Sequence, residues 1–133
     1  MQTKQKGVPA KLDGGKQDST VIKLQKGDVI TIRSKNQTFA SKARPAIVYQ
    51  NEMFGCKVES ITVILISSTL IDAEPFRITL LPNQENGLKQ ISQAMADKIT
   101  TIHRSDVGNK IGQLDILNVQ KIDEALKLWL NID

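Results

Sequence analysis

The sequence is poor in the residues that most often build reactive sites. It has one cysteine, Cys56, and one histidine, His103, among 133 residues. A single cysteine excludes an intramolecular disulfide framework and a thiolate zinc cluster, and a single histidine excludes any site that needs two imidazoles. We expect Cys56 to be an incidental thiol and His103 to be a surface or structural residue. The sequence thus predicts a protein without a metal ion or a cofactor.

Aromatic residues and long apolar runs are also scarce. Three Phe, one Trp and one Tyr argue against a platform on which bases stack. The longest strongly apolar run, residues 61–66, is far shorter than the ~20 residues that span a bilayer. No apolar stretch follows the basic N-terminus as in a signal peptide. We therefore expect a soluble cytoplasmic protein that makes no membrane contact.

The net charge of +4 lies at one end of the chain. Residues 1–26 carry six Lys against two Asp, whereas residues 27–133 hold twelve basic and twelve acidic side chains. Residues 1–20 also have few large apolar side chains, which predicts a basic, disordered tail before one domain over residues 21–133. The tail either attracts nucleic acid or is a solvated leader.

The domain has a mainly β pattern that ends in one helix. Alternating or apolar runs predict strands over residues 28–33, 45–49, 61–66, 76–80, 95–102 and 110–114, with 61–66 central. Apolar residues then recur at helical spacing from near Asp115, and Trp129 on that stripe is expected in the core. Short strands in series with a terminal helix favour a small, strongly bent sheet or barrel.

Two segments offer chemistry. Arg44 directly precedes Pro45, which restricts its backbone to extended conformations and gives the guanidinium a rigid base. Residues 67–69 place three hydroxyls after the central strand, where they either satisfy backbone groups or face a ligand. A guanidinium close to a hydroxyl would form a phosphate site. No glycine-rich phosphate loop occurs.

Six blocks of this sequence resemble the MazF/PemK family of bacterial toxins, in the order found there. The resemblance covers roughly residues 26–131. The blocks are Gly27-Asp28-Val29, Ser41-Lys42-Ala43-Arg44-Pro45-Ala46-Ile47-Val48, residues 61–69, Pro75-Phe76-Arg77-Ile78, residues 92–99 and Gly108-Asn109-Lys110-Ile111-Gly112-Gln113-Leu114.

The resemblance implies a mainly β fold with α, an SH3-like, strongly twisted barrel of the CcdB/MazF type with a C-terminal helix, assembled as a homodimer. It further implies a metal-independent endoribonuclease that cuts single-stranded mRNA at short motifs and is inhibited by an antitoxin with an acidic, disordered tail. The family's essential arginine corresponds to Arg44. Its essential hydroxyl corresponds to Ser68, with Thr69 beside it and Ser67 as a further contender. Lys42, Ser67 and Asp97 are assigned to substrate binding.

Two departures leave alternatives open. The loop at residues 36–42 lacks the carboxylate or imidazole that many members carry, so no general base is transferred from it. Asp97 matches a family aspartate that is assigned to catalysis in some relatives and to structure in others, and next to Lys98 it can simply be a paired surface charge. The same fold also serves toxins that poison DNA gyrase, and an inactive homologue could merely bind an antitoxin. Retention of Arg44 with a hydroxyl cluster favours the nuclease.

Overall fold

The computed structural model describes residues 23–33, 43–51 and 59–133. In chain order its strands and long helix are β1 (Asp28–Ile32), β2 (Arg44–Val48), β3 (Ser60–Ser67), β4 (Arg77–Leu80), β5 (Ser92–His103), β6 (Val107–Gln113) and α1 (Ile116–Leu130). A short 3₁₀ turn, Arg104–Asp106, joins β5 to β6. Three expectations concern residues outside these ranges and stay predictions. They are the disordered tail, the role of Lys42 and its loop, and Cys56 as an incidental thiol.

The six strands form one antiparallel sheet in the order β4-β5-β3-β2-β1-β6. The loop after β4 reaches across to β6 at the other edge, where the Gln113 amide donates to the Glu85 carbonyl at 2.7 Å. This contact joins the two ends of the curved sheet. A mainly β fold with one C-terminal helix was predicted, and it is confirmed.

Strand β3 is buried on both faces, as its run of apolar residues predicts. Ile64 and Ile66 pack into a cluster that includes Ile122 of α1. Ile61 and Val63, which point the other way because successive side chains alternate, pack into a second cluster. The sheet therefore has a core on each side, and the end of β3 is held firmly in place.

Two strands, β5 and β6, begin three residues earlier than predicted. β5 starts at Ser92, because Ser92 and Gln93 pair with Leu80 and Thr79 of β4 although both are polar. β6 starts at Val107 and runs through Gly108, where a Cβ would lie 2.4 Å from the Thr31 hydroxyl. The spacing of apolar residues did not predict these strand starts, because they consist of polar residues and a glycine.

Helix α1 begins where the sequence predicts. Asp115 is its N-cap and accepts a hydrogen bond from the Asn118 amide at 2.8 Å, and Asn131 ends the helix with a left-handed φ of 58°. The expectation that Trp129 lies in the core is wrong, since 46% of it is exposed. The buried stripe ends at Leu126, and Trp129 packs edge-on against Phe76 with ring centroids 5.1 Å apart.

Arg77 on β4 is a charged residue that is largely shielded from solvent. Its side chain is only 10% exposed and forms a bidentate ion pair with Asp97 on β5. The Nε–Oδ1 and Nη2–Oδ2 distances are 2.9 and 3.2 Å. The hydrogen bonds from Arg77 hold the pKa of the Asp97 carboxyl below its usual value.

This ion pair predicts acid-sensitive stability. A carboxyl with a lowered folded-state pKa stabilises the fold above its unfolded pKa of about 3.9, and that contribution disappears as pH falls through the folded value. The free energies of unfolding of the wild type and of Asp97→Asn should therefore converge as the pH is lowered from about 6 towards about 2. Urea denaturation at fixed protein concentration measures this difference.

Glu124→Gln is the matched control, since Glu124 is 74% exposed and pairs with Lys127 one helical turn away. The free energy of unfolding of this variant should differ little from that of the wild type at every pH, as is usual when an exposed ion pair is removed. A gap between wild type and Asp97→Asn that does not change with pH would contradict the role of the ion pair.

Candidate functional site

A cleft of about 890 Å³ brings together the two segments singled out in the sequence. Arg44 at the start of β2 lines it, as do all three hydroxyl residues at the end of β3. We call it the Arg44 cleft. Its lining consists of Thr31, Ala43, Arg44, Pro45, Ile66, Ser67, Ser68, Thr69, Gly87, Leu88, Lys89, Gln90, Ser92 and Ile111.

Strand register explains why Arg44 and the hydroxyls meet. β2 and β3 are antiparallel, with Ala46 opposite Leu65. Arg44 begins β2 two residues before Ala46, and Ser67 ends β3 two residues after Leu65, so both lie at the same end of the strand pair. Arg44 is exposed, so its guanidinium is available to a ligand.

The three hydroxyls have different environments. Ser67 is half-buried, and its Oγ accepts a hydrogen bond from the Thr69 amide at 3.0 Å. It thus satisfies a backbone group, which is the alternative that the sequence left open for this cluster. Ser68 and Thr69 are exposed at the cleft. The arrangement favours Ser68 and Thr69 as the ligand-facing hydroxyls, held by a turn that Ser67 caps.

Residues 87–90, which directly follow Asn86, form a further wall of the cleft. Asn86 is only 2% exposed, and its side-chain oxygen accepts from the amides of Asn83 and Leu88 at 3.1 and 2.9 Å, while its Nδ2 donates to the Leu81 carbonyl at 2.9 Å. Asn86 therefore holds both halves of this loop together.

Two glycines let the same loop lie directly against β6. Gly87 has φ +71°, and a Cβ there would lie 2.1 Å from the Ile111 carbonyl oxygen. A Cβ on Gly112 would lie 2.4 Å from the backbone of Glu85 and of Asn86. The loop is thus packed backbone to backbone against a strand, which fixes the position of the residues that follow Gly87.

This wall adds Lys89 and Gln90 to the cleft, and the sequence analysis missed both. The Asn86-Gly87 pair is typical of a turn, but no periodicity indicates which side of the fold the next residues face. Lys89 and Arg44 both carry positive charge, and no Asp or Glu belongs to the lining as far as the chain is described. A cationic cleft with several hydroxyl donors suits a phosphate group.

Asp97 is not part of this cleft. It lies on β5 and is held by Arg77, at a position that does not line the Arg44 cleft of the same chain. The contacts favour the interpretation as a paired charge, with Arg77 rather than the adjacent Lys98 as its main partner. Substrate binding by Asp97 stays a prediction.

His103 serves the fold at the end of β5. Its Nδ1 lies 2.8 Å from the Ser105 hydroxyl and accepts from the Ser105 amide, and its Nε2 lies 2.9 Å from a Glu59 oxygen. These contacts agree with the expected structural role.

Among residues 23–33, 43–51 and 59–133, no three His, Cys, Asp or Glu side chains come together as a metal site would require. No helix in the described ranges is both long and apolar enough to cross a membrane.

Comparison with known proteins relates this geometry to a family. Residues 25–130 match the family model described as PemK-like, MazF-like toxin of type II toxin-antitoxin system. The chain is 30% identical over 109 residues to the "Probable endoribonuclease MazF" of Mycolicibacterium smegmatis, an alignment that covers 82% of this chain and 98% of the relative.

Solved structures share the fold. The Mycobacterium tuberculosis toxin MazF-mt6 superposes with a TM-score of 0.67 at 24% identity, covering 80% of this chain and 98% of that one. A mycobacterial endoribonuclease in complex with its cognate antitoxin superposes with a TM-score of 0.65 at 17% identity, covering 85% and 98% of the two chains. The family match spans the sheet and the whole of α1, and this chain therefore belongs to the PemK-like, MazF-like toxins of type II toxin-antitoxin systems.

Proposed function

We propose that this chain is an endoribonuclease toxin that cleaves single-stranded mRNA in the cytoplasm at short sequence motifs, without a metal ion. The observation that carries the proposal is the meeting of Arg44 with exposed Ser68 and Thr69 in a cleft lined by a second cation, Lys89. The curated relatives named as endoribonucleases support the same activity.

The proposed reaction uses the nucleophile of the substrate itself. The ribose 2′-oxygen attacks the adjacent phosphorus, the 2′-hydroxyl proton leaves, the bond to the 5′-oxygen breaks, and that oxygen takes up a proton. The products are a 2′,3′-cyclic phosphate and a 5′-hydroxyl. Such a step needs in-line positioning and stabilisation of charge on the phosphorane, and it needs no nucleophile from the protein.

Each group of the cleft has a part in this scheme. Arg44 stabilises the charged non-bridging oxygens with its planar fork of donors. Ser68 and Thr69 donate to the same phosphate and orient it. Lys89 on the facing wall contacts a neighbouring phosphate and draws the strand into the cleft.

The alternative functions fit these observations less well. A toxin that poisons gyrase needs no arginine and hydroxyls gathered in one cleft, and the curated relatives are named for cleavage of RNA. An antitoxin-binding homologue without activity would have no reason to keep Arg44 exposed beside Ser68 and Thr69. The endoribonuclease is therefore the function that we adopt.

Arg44→Ala tests this function. Removal of a positioned donor to developing charge typically costs about 10²–10³-fold in rate, so the variant should lose cleavage of a long RNA by at least that factor. Arg44 is exposed, so the fold should persist, as circular dichroism would verify. Arg44→Lys should keep part of the activity because it retains the charge but not the fork.

The controls separate the site from general effects. Lys121→Ala removes a charge from the exposed face of α1 and should leave the rate unchanged, and wild-type cleavage should persist in EDTA. Ser68→Ala should slow the reaction strongly and Thr69→Ala less; the reverse order would move the essential hydroxyl by one residue. Cleavage by Arg44→Ala at the wild-type rate would show that the site is elsewhere.

Lys89 predicts a specific salt dependence. Each Lys–phosphate contact with a single strand contributes about −0.7 to the slope of log affinity against log salt. Lys89→Gln should flatten that slope by about this amount and leave the cut motif unchanged, because backbone contacts carry no sequence information. Lys121→Gln is the matched control. Equal slopes for Lys89→Gln and wild type would exclude a phosphate contact.

The proposed assembly is a homodimer. The end of α1 leaves large apolar side chains exposed, including Leu128 at 60% and Ile132 at 58%. A symmetric pair is the commonest way to cover such a surface. Light scattering should give twice the 14.7 kDa chain mass at micromolar concentration. Leu128→Lys should shift the mass towards the monomer and Gln120→Lys, on the exposed part of the same helix, should not. A monomeric wild type would contradict the dimer.

Inhibition is proposed to work by occupation of the cleft. A disordered segment rich in acidic residues folds on binding and is attracted by Arg44 and Lys89. The mycobacterial neighbour solved with its cognate antitoxin supports a partner of this kind. Bound antitoxin should therefore compete with RNA for the same cleft.

A further inference from the structure

Gln93 clamps the segment that carries the hydroxyls. It is 6% exposed, at the start of β5. Its Nε2 donates to the Ile71 carbonyl at 2.8 Å and its Oε1 accepts from the Ile71 amide at 3.1 Å. One buried side chain thereby satisfies both backbone groups of Ile71, as a partner strand would.

The segment held by this clamp has little else of its own to fix it. Residues 68–76 form neither strand nor helix, and the Leu70 and Ile71 side chains are 52% and 46% exposed. Ser68 and Thr69 lie three and two residues before Ile71 along the chain. Their positions are therefore set by the end of β3 on one side and by the Gln93 contact on the other.

Gln93 itself is placed by strands on both sides. It pairs with Ser67 of β3 and with Thr79 of β4, so its backbone lies between them in the sheet. It does not line the Arg44 cleft. Any effect that it has on chemistry must act through the segment it holds.

We propose that Gln93 is a positioning residue that sets the geometry of Ser68 and Thr69 for the reaction by hydrogen bonding both backbone groups of Ile71. The inference rests on the proposed function, because it gives those hydroxyls a catalytic task. If the Gln93 amide is removed, the N–H and C=O groups of Ile71 lose these hydrogen bonds, so the segment would shift until water can satisfy them. A displacement of about 1 Å at reacting groups can cost about 10²-fold in rate.

Gln93→Met tests the clamp, since it keeps the length of the side chain and removes both hydrogen bonds. We expect kcat to fall by about 10- to 100-fold while KM changes much less, because Arg44 and Lys89 still bind the strand. Gln50→Met is the matched control. The Gln50 side chain also accepts from a backbone amide of β3, that of Thr62 at 2.7 Å, but it does not line the cleft. Its kcat should stay at the wild-type value.

A double-mutant cycle distinguishes positioning from loss of stability. If Gln93 acts through the hydroxyls, Gln93→Met should cost little further rate in a Ser68→Ala, Thr69→Ala background, where nothing remains to be positioned. The inference would be overturned if Gln93→Met lowered the rate by the same factor in that background as in the wild type. An unchanged kcat for Gln93→Met alone would also overturn it. If Gln93→Met does not fold, Gln93→Glu replaces it, since that variant keeps the acceptor for the Ile71 amide and loses the donor to its carbonyl.

Failure of the proposed function would be recognised separately. If the wild-type protein does not cleave RNA, the proposed endoribonuclease function is refuted. Hydrogen exchange then tests whether Gln93 holds Ile71. Faster exchange of the Ile71 amide in Gln93→Met than in Gln50→Met would then support the clamp, and equal exchange would overturn it.

Discussion

The pairing of β2 with β3 is the constraint on which the candidate site depends. Its register, with Ala46 opposite Leu65, brings the beginning of one strand beside the end of the other, where Arg44 and Ser67 line the same cleft. Buried apolar side chains on both faces of β3 hold this register, because a slip of one residue would turn Ile64 and Val63 to the wrong sides. A guanidinium and a set of hydroxyls that are distant in sequence therefore meet without help from a flexible segment.

The two walls of the cleft are fixed by different means. The hydroxyl segment is held by side-chain hydrogen bonds from Gln93 to Ile71 and by the turn at Ser67. The facing loop is held by the buried amide of Asn86 and by glycines that let its backbone touch β6. Both walls thus rest on buried polar contacts that are satisfied, and such contacts favour one arrangement over others. A site that orients a phosphate requires this kind of rigidity.

The sequence predicted the elements well where apolar residues carry the pattern. The central strand, the series of strands along the chain and the helix from Asp115 followed from spacing. Arg44 before Pro45 and the three hydroxyls followed from local chemistry. Spacing could not show that Trp129 extends past the buried stripe, since a helix continues regardless of what lies beneath it. Nor could it find Lys89, because the side of the fold that a loop faces depends on contacts such as Gly87 against Ile111 that form only in three dimensions.

The central claim is that the substrate's own 2′-hydroxyl performs the attack in the Arg44 cleft. The most direct test maps the cut site on a long RNA, replaces the ribose before the cut by 2′-deoxyribose in a short oligonucleotide, and measures cleavage in EDTA together with the end groups formed. The account predicts cyclic phosphate and 5′-hydroxyl ends from the all-ribose strand and no cut in the substituted one. Cleavage of the deoxy-substituted strand at the same bond would contradict it.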